Sequence, residues 1–89
     1  MSMDEQYAQM QRFTHALEEF NQRLAHSMQE LEEQHNTVAP LWQDEMRKSY
    51  DTDWLPLHTL MTQYTRIEGI RYVDFLTYKM RLLERYLRG

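Results

Sequence analysis

In this 89-residue chain, Glu32 and His35 lie three residues apart, a spacing that is found in metal-binding sites. A Glu-x-x-His pair on a helix supplies half of the ligands of a di-iron carboxylate site in a helical bundle. The complete site needs a second such pair and two further inward-facing carboxylates. None of the remaining histidines has a carboxylate three positions before it: His15, His26 and His58. The half-motif therefore stands alone. We interpret Glu32 and His35 as polar residues at the edge of a helix seam, and we predict neither a metal site nor a cofactor.

The basic residues of the first half, Arg12 and Arg23, are too few for the anion-binding pocket of a small helical enzyme. Chorismate mutase is such an enzyme, a helical dimer with Arg and Lys gathered around a dianion. The chain also has no Cys, no Gly-rich phosphate loop and no recognisable Ser-His-Asp arrangement. We therefore predict that the protein is not an enzyme, and a small all-helical enzyme of chorismate mutase type is the third hypothesis.

Composition limits the fold class before any element is assigned. Two Gly and two Pro are too few for an all-β fold, which needs a turn every ~8–12 residues. The absence of Cys excludes disulfides and Cys-based zinc sites. No apolar run is long enough to predict a membrane span. The polar, acidic start at residues 1–6 is unlike a cleaved signal peptide, so we expect a cytoplasmic protein, or one exported without such a peptide.

Charge is divided unevenly between the two halves of the chain, whose net charge is −4. Residues 1–45 contain nine acidic and two basic side chains, whereas residues 46–89 contain eight basic and five acidic ones. This division favours an acidic helix lying beside a basic helix. Acidic residues within the basic half disfavour nucleic acid as a partner.

A heptad pattern predicts one long helix over residues 4–38. Its first row of apolar residues recurs every seven positions: Met3, Met10, Leu17, Leu24, Leu31 and Val38. Phe13 and Phe20 occupy position d of the same heptads, which is the pattern of a helix packed on partner helices. Pro40 marks the break, because it removes a backbone donor and disfavours helical geometry at the preceding residue.

The turn at residues 39–44 has two readings. Asp44 is a good N-cap for the next helix, while a helix that begins at Pro40 is the alternative. Residues 45–88 then form the second helix. Pro56 leaves open whether this helix is one kinked rod or two, with Asp53 capping the second piece.

The end of the second helix carries two apolar stripes side by side. One consists of Val73, Leu76, Met80, Leu83 and Leu87, and the other of Phe75, Tyr78, Leu82 and Tyr86. Just before them, around Gly69, the apolar residues are spaced three apart only, so the stripe changes its direction around the helix. Helices of ~35 and ~45 residues would be about 50 and 65 Å long, too long for a compact monomer. We therefore predict an all-α fold, with residues 1–89 as one antiparallel two-helix hairpin that associates into a helical bundle. The predicted interface is the wide face of the second helix: Ile70, Val73, Phe75, Leu76, Tyr78, Met80, Leu82, Leu83, Tyr86 and Leu87.

The midsection around Trp42 resembles the WXG-like proteins, the small helical hairpins exported by type VII secretion systems. Trp42 matches the Trp in the turn of that family, and Tyr50 matches an aromatic residue further on. The Gly expected two residues after the Trp is Asp44, which also tolerates turn geometry. The family's Tyr-x-x-x-Asp/Glu export motif has its spacing matched by Tyr64 and Glu68, inside the second helix.

The resemblance implies a protein-interaction module related to type VII secretion substrates or their partners, with Trp42 and Asp44 as turn anchors. The alternative is an intracellular structural or adaptor protein that forms a helical oligomer or filament. In either case the expected partner is the chain itself, as a homodimer or higher oligomer, or a related helical protein.

Overall fold

A computed structural model describes residues 2–88, which form an antiparallel helical hairpin of 66 × 19 × 17 Å. The first arm is α1 (Met3–Val38), and a 3₁₀ turn (Ala39–Leu41) follows it. The second arm consists of α2 (Asp44–Gln63), a π-helical segment (Tyr64–Glu68) and α3 (Gly69–Arg88), with no break between them. The predicted all-α hairpin is confirmed. No helix of residues 2–88 combines the length and apolar character needed to cross a membrane.

The start of α1 is capped by Ser2, whose hydroxyl accepts a hydrogen bond from the backbone N–H of Glu5 at 3.1 Å. Asp4 and Glu5 lie in the first turn, where a negative charge interacts favourably with the helix dipole. These local signals, together with the uninterrupted heptads, explain why α1 extends as far as Val38.

The turn differs from the predicted N-cap at Asp44. The N-cap is Gln43, and Asp44 is the first residue of α2 with a positive φ of 55°. This left-handed conformation costs least for Gly, Asn and Asp, and it is the position where the WXG-like pattern has Gly. The role of Asp44 is therefore backbone geometry instead of side-chain capping.

Substitution at Asp44 should follow this backbone requirement. We expect Asp44→Val to lower the free energy of unfolding by ~1–2 kcal/mol, because a β-branched side chain is strained at positive φ. Asp44→Asn should change the free energy of unfolding by much less, because Asn also tolerates positive φ. Thermal unfolding followed by circular dichroism measures both, and equal losses in the two variants would contradict the assignment.

Pro56 does not divide the second arm, because α2 continues through it. Its side chain is exposed, so the carbonyl of Thr52 that loses its helical partner can be hydrated. The irregularity lies instead at Tyr64–Glu68, where the N–H of Gly69 bonds to the carbonyl of Tyr64, five residues earlier. The alternative of a separate helix capped at Asp53 is not observed.

The π-helical segment decides which stripe of α3 packs against α1. It adds one residue to the turn, so the second arm faces α1 with Met61, Thr65, Gly69 and Val73, each four residues apart. An unbroken heptad would instead turn Tyr72 and its neighbours inward. The aliphatic stripe with Val73, Leu76 and Met80 therefore packs against α1, and the aromatic stripe with Phe75 and Tyr86 faces outward.

The hydrophobic core of this hairpin is thin. Six of the described residues are buried: Thr14, Met28, Ala39, Trp54, Gly69 and Leu76. No side chain among residues 2–88 is completely shielded from solvent. A hairpin of this size that buries so little is marginal in isolation.

Candidate interaction surface

The end of the hairpin near the turn is filled by stacked rings. The imidazole of His35 lies parallel to the indole of Trp54, with ring centroids 4.3 Å apart, and Tyr50 stacks near both. His35 Nδ1 lies 2.6 Å from the hydroxyl of Tyr50. Trp42 closes the stack, edge-on to Tyr50 at 4.3 Å. Trp42 therefore lies at the turn, where it was expected.

Arg47 ties the turn to α2. Its Nη1 donates to the carbonyl of Ala39 at 2.9 Å, and its Nε donates to Asp51 at 3.0 Å. The Ala39 carbonyl also accepts from the backbone N–H of Trp42 at 3.1 Å, so Arg47 is its second donor. One guanidinium thus links the turn to a carboxylate on α2, which favours a defined entry angle of that helix.

Glu32 and His35, the two residues of the metal half-motif, bind different partners. Glu32 Oε1 lies 2.9 Å from Nε2 of His58 on α2, whereas His35 engages Tyr50. No group of three or more metal-ligating side chains occurs within residues 2–88. The two residues link the arms of the hairpin and do not converge on a common point.

Asn21 joins α1 to the π-helical segment. Its Nδ2 donates to the carbonyl of Gly69 at 3.2 Å, and its Oδ1 accepts from the hydroxyl of Tyr64 at 2.7 Å. A Cβ at position 69 would lie 3.1 Å from both Asn21 Nδ2 and the carbonyl oxygen of Tyr64. Any other residue at position 69 would require Asn21 or the backbone at Tyr64 to shift by a few tenths of an ångström, so Gly69 favours this close approach. A polar residue at a seam position also favours one register of the two arms.

One flat side of the hairpin is an apolar surface, which we call the aromatic face. Phe13 lies edge-on to Tyr72 across the two arms, and Phe20 lies edge-on to Tyr64, both at 6.5 Å between centroids. Beside Phe20 is an open apolar depression of about 430 Å³. Its other lining residues are Leu24, Leu60, Met61, Tyr64 and Glu68. Helical spacing from Tyr72 continues the face along α3 through Phe75, Leu82 and Tyr86.

The opposite side is polar. An open groove there is lined by Gln22, Ala25, His26, Met28, Gln29, Glu32, Thr65 and Arg66. A second depression next to it has a mixed lining of polar and apolar residues: Glu18, Asn21, Gln22, Ile70, Val73 and Asp74. The hairpin thus has one strongly apolar side and one side of mixed, more polar character, as expected of an element that is covered mainly on one side.

Phe13 and Phe20 were predicted for the seam, and the structure places them on the aromatic face, 52% and 54% exposed. The seam uses the neighbouring heptad row: Tyr7, Thr14, Asn21, Met28 and His35. Thr14, Asn21 and His35 of this row form hydrogen bonds to groups on the second arm, which local spacing does not reveal. The drift of the apolar stripe around Gly69 was the signal for the changed register.

The predicted interface residues divide into two groups. Leu76 is buried against α1, and Val73, Met80 and Leu83 are half-buried there. The exposed members are Ile70, Phe75, Tyr78, Leu82, Tyr86 and Leu87. Phe75, Leu82 and Tyr86 belong to the aromatic face, which α1 extends with residues absent from the predicted set. A role in association stays a prediction for all of them.

Tyr64 and Glu68, the matched export motif, begin and end the π-helical segment. The hydroxyl of Tyr64 is engaged by Asn21, and the carboxylate of Glu68 accepts a hydrogen bond from Gln63 at 3.1 Å. Both line the depression of the aromatic face. Their role in export stays a prediction.

No family model, curated protein or solved structure matches this chain.

Proposed function

We propose that this chain is a non-enzymatic protein-interaction module whose aromatic face packs against helices of a binding partner. The observation that supports this most directly is the placement of Phe13 and Phe20. A soluble helix normally buries its most apolar stripe, yet both phenylalanine rings are about half exposed, while Thr14 and Asn21 occupy the seam.

The chemistry of this face fits helix packing. It combines aromatic rings with Leu and Met side chains, the residue types enriched at protein interfaces. Its apolar residues continue from one arm to the other, so a partner would contact both arms together. Contiguous apolar surfaces of this kind mark interaction sites on soluble proteins.

A relation to WXG-like secretion substrates or their partners belongs to the same proposal. It rests on the hairpin architecture, on Trp42 at the turn, and on a positive φ at Asp44, where that pattern has Gly. A structural or adaptor protein that assembles into filaments is the second candidate. Apolar side chains at both ends of the hairpin favour it, because Leu41 is 75% and Tyr86 74% exposed.

Hydroxyl-radical footprinting inside cells that produce the protein tests whether the aromatic face is occupied. We expect oxidation of Phe20 and Tyr72 to be at least fivefold slower in cells than in the purified protein at nanomolar concentration. Leu55 is the internal control, because it is 59% exposed and adjoins Trp54 on another side of α2. Equal protection of Leu55, or no protection of Phe20 and Tyr72, would contradict the proposal.

A further inference from the structure

The exposed area of the chain shows how much surface a partner would have to cover. The hairpin exposes 7242 Å². A compact monomeric protein of 11.0 kDa is expected to expose about 5,600 Å². The excess is roughly 1,600 Å² per chain, and each subunit of a permanent dimer buries about 1,000 Å² or more. Contact with one second copy along the aromatic face would therefore cover the excess area without further subunits.

The distribution of charge favours a second copy in one orientation. In α1, residues 3–21 carry four acidic side chains and one basic side chain. Beside them, α3 (Gly69–Arg88) carries five basic and two acidic ones. If the twofold axis runs along the length of the hairpin, α1 of one copy lies over α3 of the other. Glu18 and Asp74 lie on the polar side, and without them the two segments carry net charges of −2 and +4. Segments of opposite charge therefore lie side by side twice in the dimer.

The remaining charges oppose this arrangement only weakly. Residues 22–38 carry three acidic side chains and one basic, and α2 carries four acidic and two basic. These segments would face each other in the same dimer. Reversing one copy end to end would place residues 3–21 over residues 22–38 of the partner. Because both segments are acidic, their repulsion would cancel the attraction between α3 and the partner's α2.

We propose that two copies of this chain pack through their aromatic faces into a four-helix bundle, with α1 over the partner's α3 and both turns at the same end. This assignment rests on the proposed function and names the partner of the same surface. Every helix then has antiparallel neighbours within and between chains, the arrangement of an antiparallel four-helix bundle. Phe20 packs into the partner's depression beside Leu60.

Light scattering of the intact chain from 1 to 200 μM tests the second copy. We expect a mass twice the 11.0 kDa of one chain. Phe20→Glu and Leu60→Glu should each weaken dimerisation at least 100-fold, since a charge would be buried at the interface. The matched control is Gln22→Glu, an exposed substitution on the polar face that should leave the mass unchanged. Helical circular dichroism of the monomeric variants shows that loss of association is not loss of folding.

Distances between spin labels test the orientation. The chain has no Cys, so Thr37→Cys or Glu5→Cys gives one label per copy, near the turn or near the opposite end. With both turns at one end, each label should lie within about 30 Å of its counterpart. With one copy reversed, each separation would be about 50 Å, because each position is ~16 residues from the middle of α1 at 1.5 Å per residue.

Four outcomes overturn the assignment: a monomer at 200 μM, a larger assembly, two long distances, or a dimer unaffected by both glutamate substitutions. A monomer whose aromatic face is nevertheless protected in cells would contradict the second copy alone and leave the proposed function standing. An unprotected face in cells together with a monomer would contradict both.

Discussion

Replacement of Trp54 by Ala should remove a large part of the stability of this protein. Trp54 is a buried residue, 9% exposed, and its indole stacks on His35 and lies near Tyr50 and His58. Truncating a buried Trp to Ala costs about 3–5 kcal/mol, because contacts are lost and a cavity is left. The total stability of a domain of this length is on the order of 4–13 kcal/mol.

Chemical denaturation at fixed protein concentration measures this loss, since association would otherwise change the apparent midpoint. Leu55→Ala is the matched control: the residue adjoins Trp54 on the same helix but is exposed, so we expect a change below ~0.5 kcal/mol. Similar losses in the two variants would mean that the ring stack does not hold the two arms together.

The helices themselves could be predicted almost completely from the sequence. The expected range 4–38 compares with Met3–Val38, and the expected turn at 39–44 contains the 3₁₀ turn and the first residue of α2. Long heptad runs and the break at Pro40 define the two arms. Pro56 left open whether the second arm is one helix or two, and the sequence alone did not decide this. Asp44 was expected to lie in the turn, but whether it caps α2 or takes a positive φ depends on geometry that its residue type alone does not decide.

The face that each helix turns inward could not be predicted from the same patterns. In α3, the stripe with Leu76 and the stripe with Phe75 are both apolar and lie about 100° apart, so hydrophobicity ranks them equally. The choice follows from the π-helical segment and from Asn21, whose partners lie 43 and 48 residues away along the chain. The composition of the aromatic face depends on this choice, which is why Phe13 and Phe20 were assigned to the seam.

Deleting Ile67 from the π-helical segment should preserve the fold. The segment contains one residue more than a regular α-helical connection between Thr65 and Gly69 needs, and Ile67 is exposed. Without it, Trp54 and Leu76 keep their positions against α1 on an unbroken helix. We expect the free energy of unfolding to stay within about 1–1.5 kcal/mol of the parent, the typical value of one hydrogen bond, because the contacts of Asn21 are disturbed.

Deleting Tyr78 from α3 is the matched control with a large expected effect. Tyr78 is also exposed, but no extra residue compensates there. Its loss rotates the rest of α3 by about 100°, which moves Met80 and Leu83 out of the seam. We expect a loss of several kcal/mol, on the scale of multiple large core truncations, seen as a melting temperature far below that of the Ile67 deletion.

The relative stability of the two deletion variants decides whether the π-helical segment sets the register of the two arms. If it does, the Ile67 deletion retains the parental far-ultraviolet circular dichroism, and the aromatic face keeps its pattern of radical oxidation at Phe20 and Tyr72. A deletion of Ile67 as damaging as that of Tyr78 would show that the arms are held by Asn21 and Gly69 in a geometry that only a π-helix provides. The register of the aromatic face would then follow from that polar contact alone, and Asn21→Leu should disturb it as strongly as either deletion.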